Sequence, residues 1–365
     1  MLEELLEHSS VPHTPAGLSL FTQQRLIERV RQLKAERGIV ILAHNYQEGP
    51  IQEVADFVGD SLKLAQYATT VAEPVILFCG VHFMAESAAM LCPDKRVIVP
   101  DLGAGCSLAD MIVPQQVRAW RERHPDGVVV CYINTSAAVK AECDYCCTSS
   151  NGIQIIEAIP EGRPILFVPD FYLGTFLKRR TGRPIEVWKG YCPSHAVIDP
   201  GRIDHLREVY PDAEFLMHPE CGCLTKEMER ADQILSTDGM IEYARRSASR
   251  AFIIGTDNGI LYRLRKENPG KTFIPAGEFA ACHHMQRNTL EKVLRSIFTL
   301  DYPVTVPPET ARRALAPLER MLEITRSSKI APVEAPTACA PSGWPEEPAP
   351  MVWNDWVLEC ANDLR

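Results

Sequence analysis

An apolar, β-branched run that breaks off abruptly into polar residues occurs three times in this chain, and that recurrence limits its possible folds more than any other feature. Ile39 to Tyr46 ends in His44, Asn45 and Tyr46; Val128 to Ile133 runs into Tyr132 and Asn134; Phe215 to Met217 runs into His218, Pro219 and Glu220. The polar clusters begin at residues 44, 132 and 218, intervals of 88 and 86 residues. Runs of this kind read as buried parallel strands whose carboxyl ends carry the polar groups.

Other marks keep step with them. A hydroxyl residue at an expected helix entry follows each start after 17 residues (Ser61), 17 (Ser149) and 18 (Ser236, with Thr237 beside it). A second apolar strand ends in Phe78-Cys79-Gly80, Val168-Pro169-Asp170 and Gly255-Thr256-Asp257, and a Cys follows a third strand at offsets of 62, 60 and 64 (Cys106, Cys192, Cys282). One unit written three times accounts for all of this. Each copy would bring one Cys and one set of polar strand ends to a common centre.

Taken in order, Leu18 to Arg37 reads as an amphipathic helix capped by Gly38, and strands follow near 39–46, 75–78 and 96–99, with helices between them. Ile51, Val54, Ala55 and Val58 keep helical spacing, and Asp60-Ser61 caps the next helix. The second copy places strands near 128–133, 165–168 and 185–188, the third near 214–217, 251–254 and 272–275. Strand alternating with helix is the pattern of a doubly wound α/β unit. The expected organisation is three similar parallel-sheet domains over 17–113, 114–200 and 201–300, C-terminal helices over 301–328 interrupted or restarted at Pro317, and a flexible Pro/Ala-rich tail over 329–365.

At 365 residues, 46% hydrophobic and 23% charged, the chain can bury a large core. A net charge of -9 offers no basic stripe for nucleic acid. No apolar run approaches a membrane span, and Met1 to Ser10 lacks the basic start of a signal peptide, so a cytoplasmic protein is expected. Thirteen Cys in a reducing compartment do not read as a disulfide framework.

Ligands in open α/β sheets bind beyond the carboxyl ends of the strands. Three Cys converging there can hold a zinc ion or an iron-sulfur cluster. None of them has the close Cys partner usual in structural zinc sites, which favours a 4Fe-4S cluster with one open iron. Two local spacings compete: Cys143, Cys146 and Cys147 (CxxCC) and His218, Cys221 and Cys223 (HxxCxC). Neither recurs in the other units, so both read as structural or adventitious. The hydroxyls at Ser61, Ser149 and Ser236-Thr237 can simply cap helices, worth about 1 kcal/mol each. Facing one centre, three helix starts also make anion sites. His44, Tyr46, Tyr132, Asn134, His218 and Glu220 then supply proton donors and acceptors.

At this point the motifs ILAHNYQ (41–47), DFVGDSL (56–62), VIVPDLGAGC (97–106), CTSSN (147–151), CPSH (192–195), HPEC (218–221) and GTDNGI (255–260) resemble the quinolinate synthase family of bacterial NAD biosynthesis. The resemblance runs over about residues 20–300. It implies a pseudo-threefold axis through three similar domains and a 4Fe-4S cluster on Cys106, Cys192 and Cys282. It also implies condensation of iminoaspartate with dihydroxyacetone phosphate to quinolinate, phosphate and water, with an iminoaspartate-producing enzyme as a partner. By motif it implies substrate-binding roles for His44, Ser61, Tyr132, Ile133, Asn134, Ser149, His195, His218, Pro219, Glu220 and Thr237. Tyr46, His218 and Glu220 become the proton-transfer groups. Two other classes remain to be separated from it, a zinc-dependent lyase and an iron-sulfur metabolite sensor without turnover.

Overall fold

The computed structural model describes residues 20–221 and 231–327. The first domain runs α1 (Leu20–Glu36), β1 (Ile39–His44), α2 (Gly49–Val54), β2 (Phe57–Gly59), α3 (Ser61–Ala68), β3 (Val75–Cys79), α4 (His82–Leu91) and β4 (Arg96–Ile98). All six residues of β1 are buried, as a strand covered by helices on both faces requires. Gly38 closes α1 at φ +62°, a left-handed position that a glycine fills without strain.

The second domain repeats the series with α5 (Pro114–Arg123), β5 (Val128–Tyr132), α6 (Ala137–Lys140), β6 (Tyr145–Cys147), α7 (Gly152–Glu157), β7 (Ile165–Val168), α8 (Phe171–Thr181) and β8 (Ile185–Val187). The short α9 (Pro193–Ala196) leads to the third domain, α10 (Pro200–Val209), β9 (Glu214–Met217), β10 (Gln233–Ile234), α11 (Thr237–Arg246), β11 (Ala251–Gly255), α12 (Ile260–Glu267) and β12 (Thr272–Pro275). Two more helices follow, α13 (Leu290–Thr299) and α14 (Pro308–Ser327).

Each domain holds one four-stranded parallel sheet, and the strand order is the same in all three: β2-β1-β3-β4, β6-β5-β7-β8 and β10-β9-β11-β12. The chain is thus an α/β protein of three similar doubly wound domains. In this order the winding reverses between the first and third strands of a unit, and that reversal opens a crevice beyond their carboxyl ends.

The structure corrects the expected three strands per unit. A further edge strand of two or three residues precedes each hydroxyl-bearing loop. Val58, whose spacing looked helical, lies on β2, where it pairs with Ala43 of β1. Runs this short carry no periodicity of their own. They are strands because a buried central strand presents unpaired backbone groups that must be satisfied. Pro317 does not interrupt the last helix either: α14 is continuous through it, and Pro317 is buried with Ala314, Leu318 and Met321. Packing of that face offsets the one hydrogen bond a proline removes.

The last two helices fasten the domains. Leu290, Val293, Leu294 and Ile297 of α13 share a buried cluster with Ile27, Val30 and Leu33 of α1, although the two helices lie at opposite ends of the repeats. Each such side chain contributes roughly 2 kcal/mol on burial. Leu318, Met321 and Leu322 of α14 join the large core built from the first and second domains. Among the described residues, no helix is long and apolar enough to cross a membrane. The tail expected over 329–365 lies outside the described residues.

Candidate active site

The strand ends of all three domains open into one cavity. The first domain lines it with His44, Tyr46, Asp60, Ser61 and Cys106, the second with Tyr132, Asn134, Thr148, Ser149, Cys192 and His195, the third with His218, Glu220, Thr237 and Cys282. Val81, Phe83, Met84 and Met285 supply apolar wall. Of the residues expected from the sequence, Ile133 and Pro219 are buried but are not among the lining residues.

The repeat extends to the fine geometry. After β1, the Tyr46 N–H donates to His44 Nδ1 at 3.2 Å; after β9, the Glu220 N–H donates to His218 Nδ1 at 3.3 Å. In both turns the residue two positions on fixes the imidazole with Nδ1 as acceptor, leaving Nε2 to carry the proton. That Nε2 of His218 meets Ser149 Oγ at 3.1 Å. The equivalent turn after β5 is held instead by Lys140, fully buried, whose ammonium donates to the carbonyls of Ile133 and Thr135.

Glu220 stands between two imidazoles. Its Oε2 lies 3.4 Å from Nδ1 of both His195 and His218, and its Oε1 accepts from Asn134 Nδ2 at 3.3 Å. Tyr46 Oη pairs with Thr256 Oγ1 at 2.6 Å and approaches His195 Nε2 at 3.3 Å, and His195 Nε2 in turn reaches Thr256 Oγ1 at 2.9 Å.

The histidine-glutamate distances would suit ion pairs, but burial decides otherwise. It lowers His44 to about 4 and His195 to about 3, and drives His218 well down. Burial, with Asp170 adding repulsion, holds the Glu220 carboxyl well above the usual carboxylate range. Burial therefore favours the neutral forms on both sides of these contacts over ion pairs. No lysine or arginine is among the described residues that line the cavity, and the Tyr132 hydrogen bond that favours the Glu220 carboxylate is outweighed by burial.

The three expected Cys ligands come together here. Burial is the largest cause raising all three thiols, Cys106 to about 12 and Cys192 well above the usual range; Cys282 repels Cys106, Glu220 and the other two thiols repel Cys192, and Asp257 repels Cys282. Three soft donors converge where no lysine or arginine among the described lining residues is at hand to ionise them. A thiolate-bound metal centre supplies that charge, and the donor set fits one. A second donor set overlaps it: Cys192, His195 and Glu220 place one ligand atom each within 4.8 Å of one another and could hold a metal ion. The competing Cys143, Cys146 and Cys147 are buried at and before β6 and do not line the cavity. Cys221 is disulfide-bonded, and Cys223 lies outside the described residues.

A family model for the quinolinate synthetase A protein matches residues 28–323. The chain belongs to the quinolinate synthetase A family. Its relatives include the quinolinate synthases of Pyrobaculum aerophilum, 51% identical over 304 residues (82% of this chain, 99% of that protein), and Thermus thermophilus, 50% identical over 303 residues (82% and 98%). Quinolinate synthase of Dehalococcoides mccartyi is 49% identical over 302 residues (83% and 99%). Membership in the quinolinate synthase family makes the chain an enzyme, and the cavity is the place in this fold where three domains can act on one molecule.

Two of the three expected helix openings are observed, Ser61 at the start of α3 and Ser236-Thr237 at the start of α11, and Ser149 is the exception. Asp60, not Ser61, caps α3, and Ser61 is left on the cavity. Ser236 caps α11 through the Gly239 N–H, while Thr237 lines the cavity. Ser149 opens no helix: α7 begins three residues later at Gly152, because Ser149 lies in the turn that follows β6. Sequence reasoning missed Thr256 and Asn45, whose polar partners come from other domains. Their only signal was position, since Thr256 follows β11 and Asn45 follows β1.

Proposed function

We propose that the cavity condenses iminoaspartate with dihydroxyacetone phosphate to give quinolinate, phosphate and two waters, a step of NAD biosynthesis. The observation that carries this reading is the convergence itself: each domain delivers polar strand ends, one hydroxyl and one Cys to the same enclosure. Cys106, Cys192 and Cys282 would hold a 4Fe-4S cluster with one open iron. When bound, the cluster supplies a Lewis acid for the oxygen that leaves as water.

The remaining work falls to this chain's own side chains. Ser61, Ser149 and Thr237 offer hydroxyl donors to the anionic groups of the substrates, in a cavity whose described lining holds no lysine or arginine. Glu220, protonated by its burial, can give a proton first and then receive one as the anhydro product forms. His218, its tautomer fixed by the Glu220 N–H, passes a proton between Glu220 and Ser149. The Tyr46 hydroxyl, tied to Thr256 and close to His195, is a further neutral donor. The apolar wall excludes water, which strengthens each of these contacts.

A zinc-dependent lyase is the second reading. The mixed sulfur, nitrogen and oxygen set of Cys192, His195 and Glu220 favours it, as does the buried His195 Nδ1, which lacks a hydrogen-bond partner. Turnover separates the readings. Anaerobically prepared protein given iminoaspartate and dihydroxyacetone phosphate should form quinolinate, and none formed by cluster-replete protein would refute the proposed reaction.

A further inference from the structure

Asp60 has more partners than a helix cap needs. Its Oδ1 accepts from the Lys63 N–H at 2.9 Å, which is the cap of α3. Its Oδ2 reaches outside the first domain, accepting from Ser236 Oγ of the third at 3.3 Å and from Ser150 Oγ of the second at 3.4 Å. Ser150 Oγ is also shared with Thr148 Oγ1 at 2.9 Å. The Asp60 N–H donates to Asp238 Oδ2 at 2.5 Å. Asp60, Ser150 and Ser236 are the chain neighbours of Ser61, Ser149 and Thr237. One carboxyl group therefore gathers the residues next to each hydroxyl that faces the cavity.

A second connection runs through Arg263. Its guanidinium bonds Asn45 Oδ1 at 2.8 Å, the Val58 carbonyl at 2.9 Å and Asp238 Oδ1 at 3.1 Å, and Asn45 Nδ2 donates to Thr237 Oγ1 at 2.9 Å. The loop before α3 and the start of α11 are thus held to each other twice over. The second domain's loop is held to them by Ser150.

We infer that Asp60 is a positioning residue whose carboxyl keeps Ser61, Ser149 and Thr237 at fixed mutual distances, so that hydroxyls from three separate domains can engage one anionic group of the substrate. This rests on the reading of those hydroxyls as substrate contacts given above. The need is geometric. Each hydroxyl is anchored in its own sheet, and a displacement of about 1 Å between them is enough to lose roughly 100-fold in productive binding and turnover.

The test uses cluster-replete Asp60→Asn, Asp60→Ala, Ser150→Ala and Ser236→Ala enzymes. Steady-state kinetics and calorimetric binding of dihydroxyacetone phosphate are measured beside iron content and melting temperature. Ser150 and Ser236 do not line the cavity, and the partner they share is the Asp60 carboxyl, so a common effect on substrate is one that travels through it. KM or Kd should rise roughly threefold for each serine variant and tenfold or more for the Asp60 variants, with kcat falling less. An Asp60→Ala/Ser150→Ala/Ser236→Ala triple variant should be no worse than Asp60→Ala, because all three changes remove one tie. Asp60→Asn, which keeps a cap acceptor, covers the case in which Asp60→Ala fails to fold. Unchanged KM and Kd in Asp60→Asn, or multiplicative losses in the triple variant, would overturn the inference even if melting temperatures fell. Normal binding without quinolinate formation in the unaltered enzyme would instead remove the proposed reaction and leave the inference to be judged on Kd.

Discussion

Gly259 is the position where a single added carbon should separate two domains. It precedes α12 with φ -59° and ψ -30°, a conformation any residue adopts, so the backbone itself does not require glycine. The requirement is steric. A Cβ at this position would lie 2.3 Å from the Tyr46 carbonyl oxygen and 2.6 Å from its carbon, both backbone atoms that cannot rotate away. Ordinary contact needs roughly 1 Å more. Gly259→Ala must therefore push the end of β1 away from the third domain, and Tyr46 moves with it, away from Thr256. Overpacking of this size costs about 1–3 kcal/mol, a fall in melting temperature of roughly 1–4 °C for a protein of this size. Turnover should fall by about 100-fold, the scale of a 1 Å misplacement at a reacting group. Gly270→Ala is the control, since its Cβ would meet nothing within 4 Å. Thermal melts and quinolinate formation on the same preparations give both numbers. A Gly259→Ala protein that melts and turns over like the parent would show that the approach of the two domains at Tyr46 is not rigid and that the site geometry does not depend on it.

Glu220→Gln keeps the shape and the Asn134 contact but removes the exchangeable proton. Turnover should drop by roughly 100-fold or more with iron content unchanged, and loss of metal instead would favour the Cys192, His195 and Glu220 metal set. Asp170 caps α8 through Oδ1, while its buried Oδ2 has no hydrogen-bond partner, and burial pushes the carboxyl up to about 8. A raised carboxyl favours the folded state fully below its unfolded pKa near 4, and that contribution is lost as pH climbs from about 4 through 8. Asp170→Asn retains the cap and cannot ionise, so it should melt higher than the parent at pH 9 by several degrees and gain little at pH 5; an equal change at both pH values would contradict the assignment.

The repeat was legible because its marks are long-lived in sequence: central strands such as Ile39–His44 and Val128–Tyr132 are continuous apolar runs, and a Cys follows each third strand at nearly constant offset. The edge strands were not legible. Gln233–Ile234 is two residues long, and only its pairing with Leu216 and Met217 makes it a strand. The cavity-lining hydroxyls at Ser61, Ser149 and Thr237 and the imidazoles of His44 and His218 were found from the repeat, and His195 from the resemblance, whereas the groups that hold them were not. Asp60 meets Ser236 across 176 residues of chain and Tyr46 meets Thr256 across 210, contacts between domains that no local pattern encodes. The charge state was hidden as well, since it follows from burial in the assembled cavity and, for Glu220, from the nearness of Asp170.

The central claim is that Cys106, Cys192 and Cys282 act as one ligand set at the meeting point of three domains. Iron and acid-labile sulfide, measured on anaerobically prepared protein and on single Cys→Ser variants, test it most directly. The account predicts about four irons and four sulfides per chain, lost in each of the three variants and retained when Cys143, Cys146 or Cys147 is changed. Zinc in place of iron, or iron lost from a Cys143 variant and kept in a Cys282 variant, would contradict it.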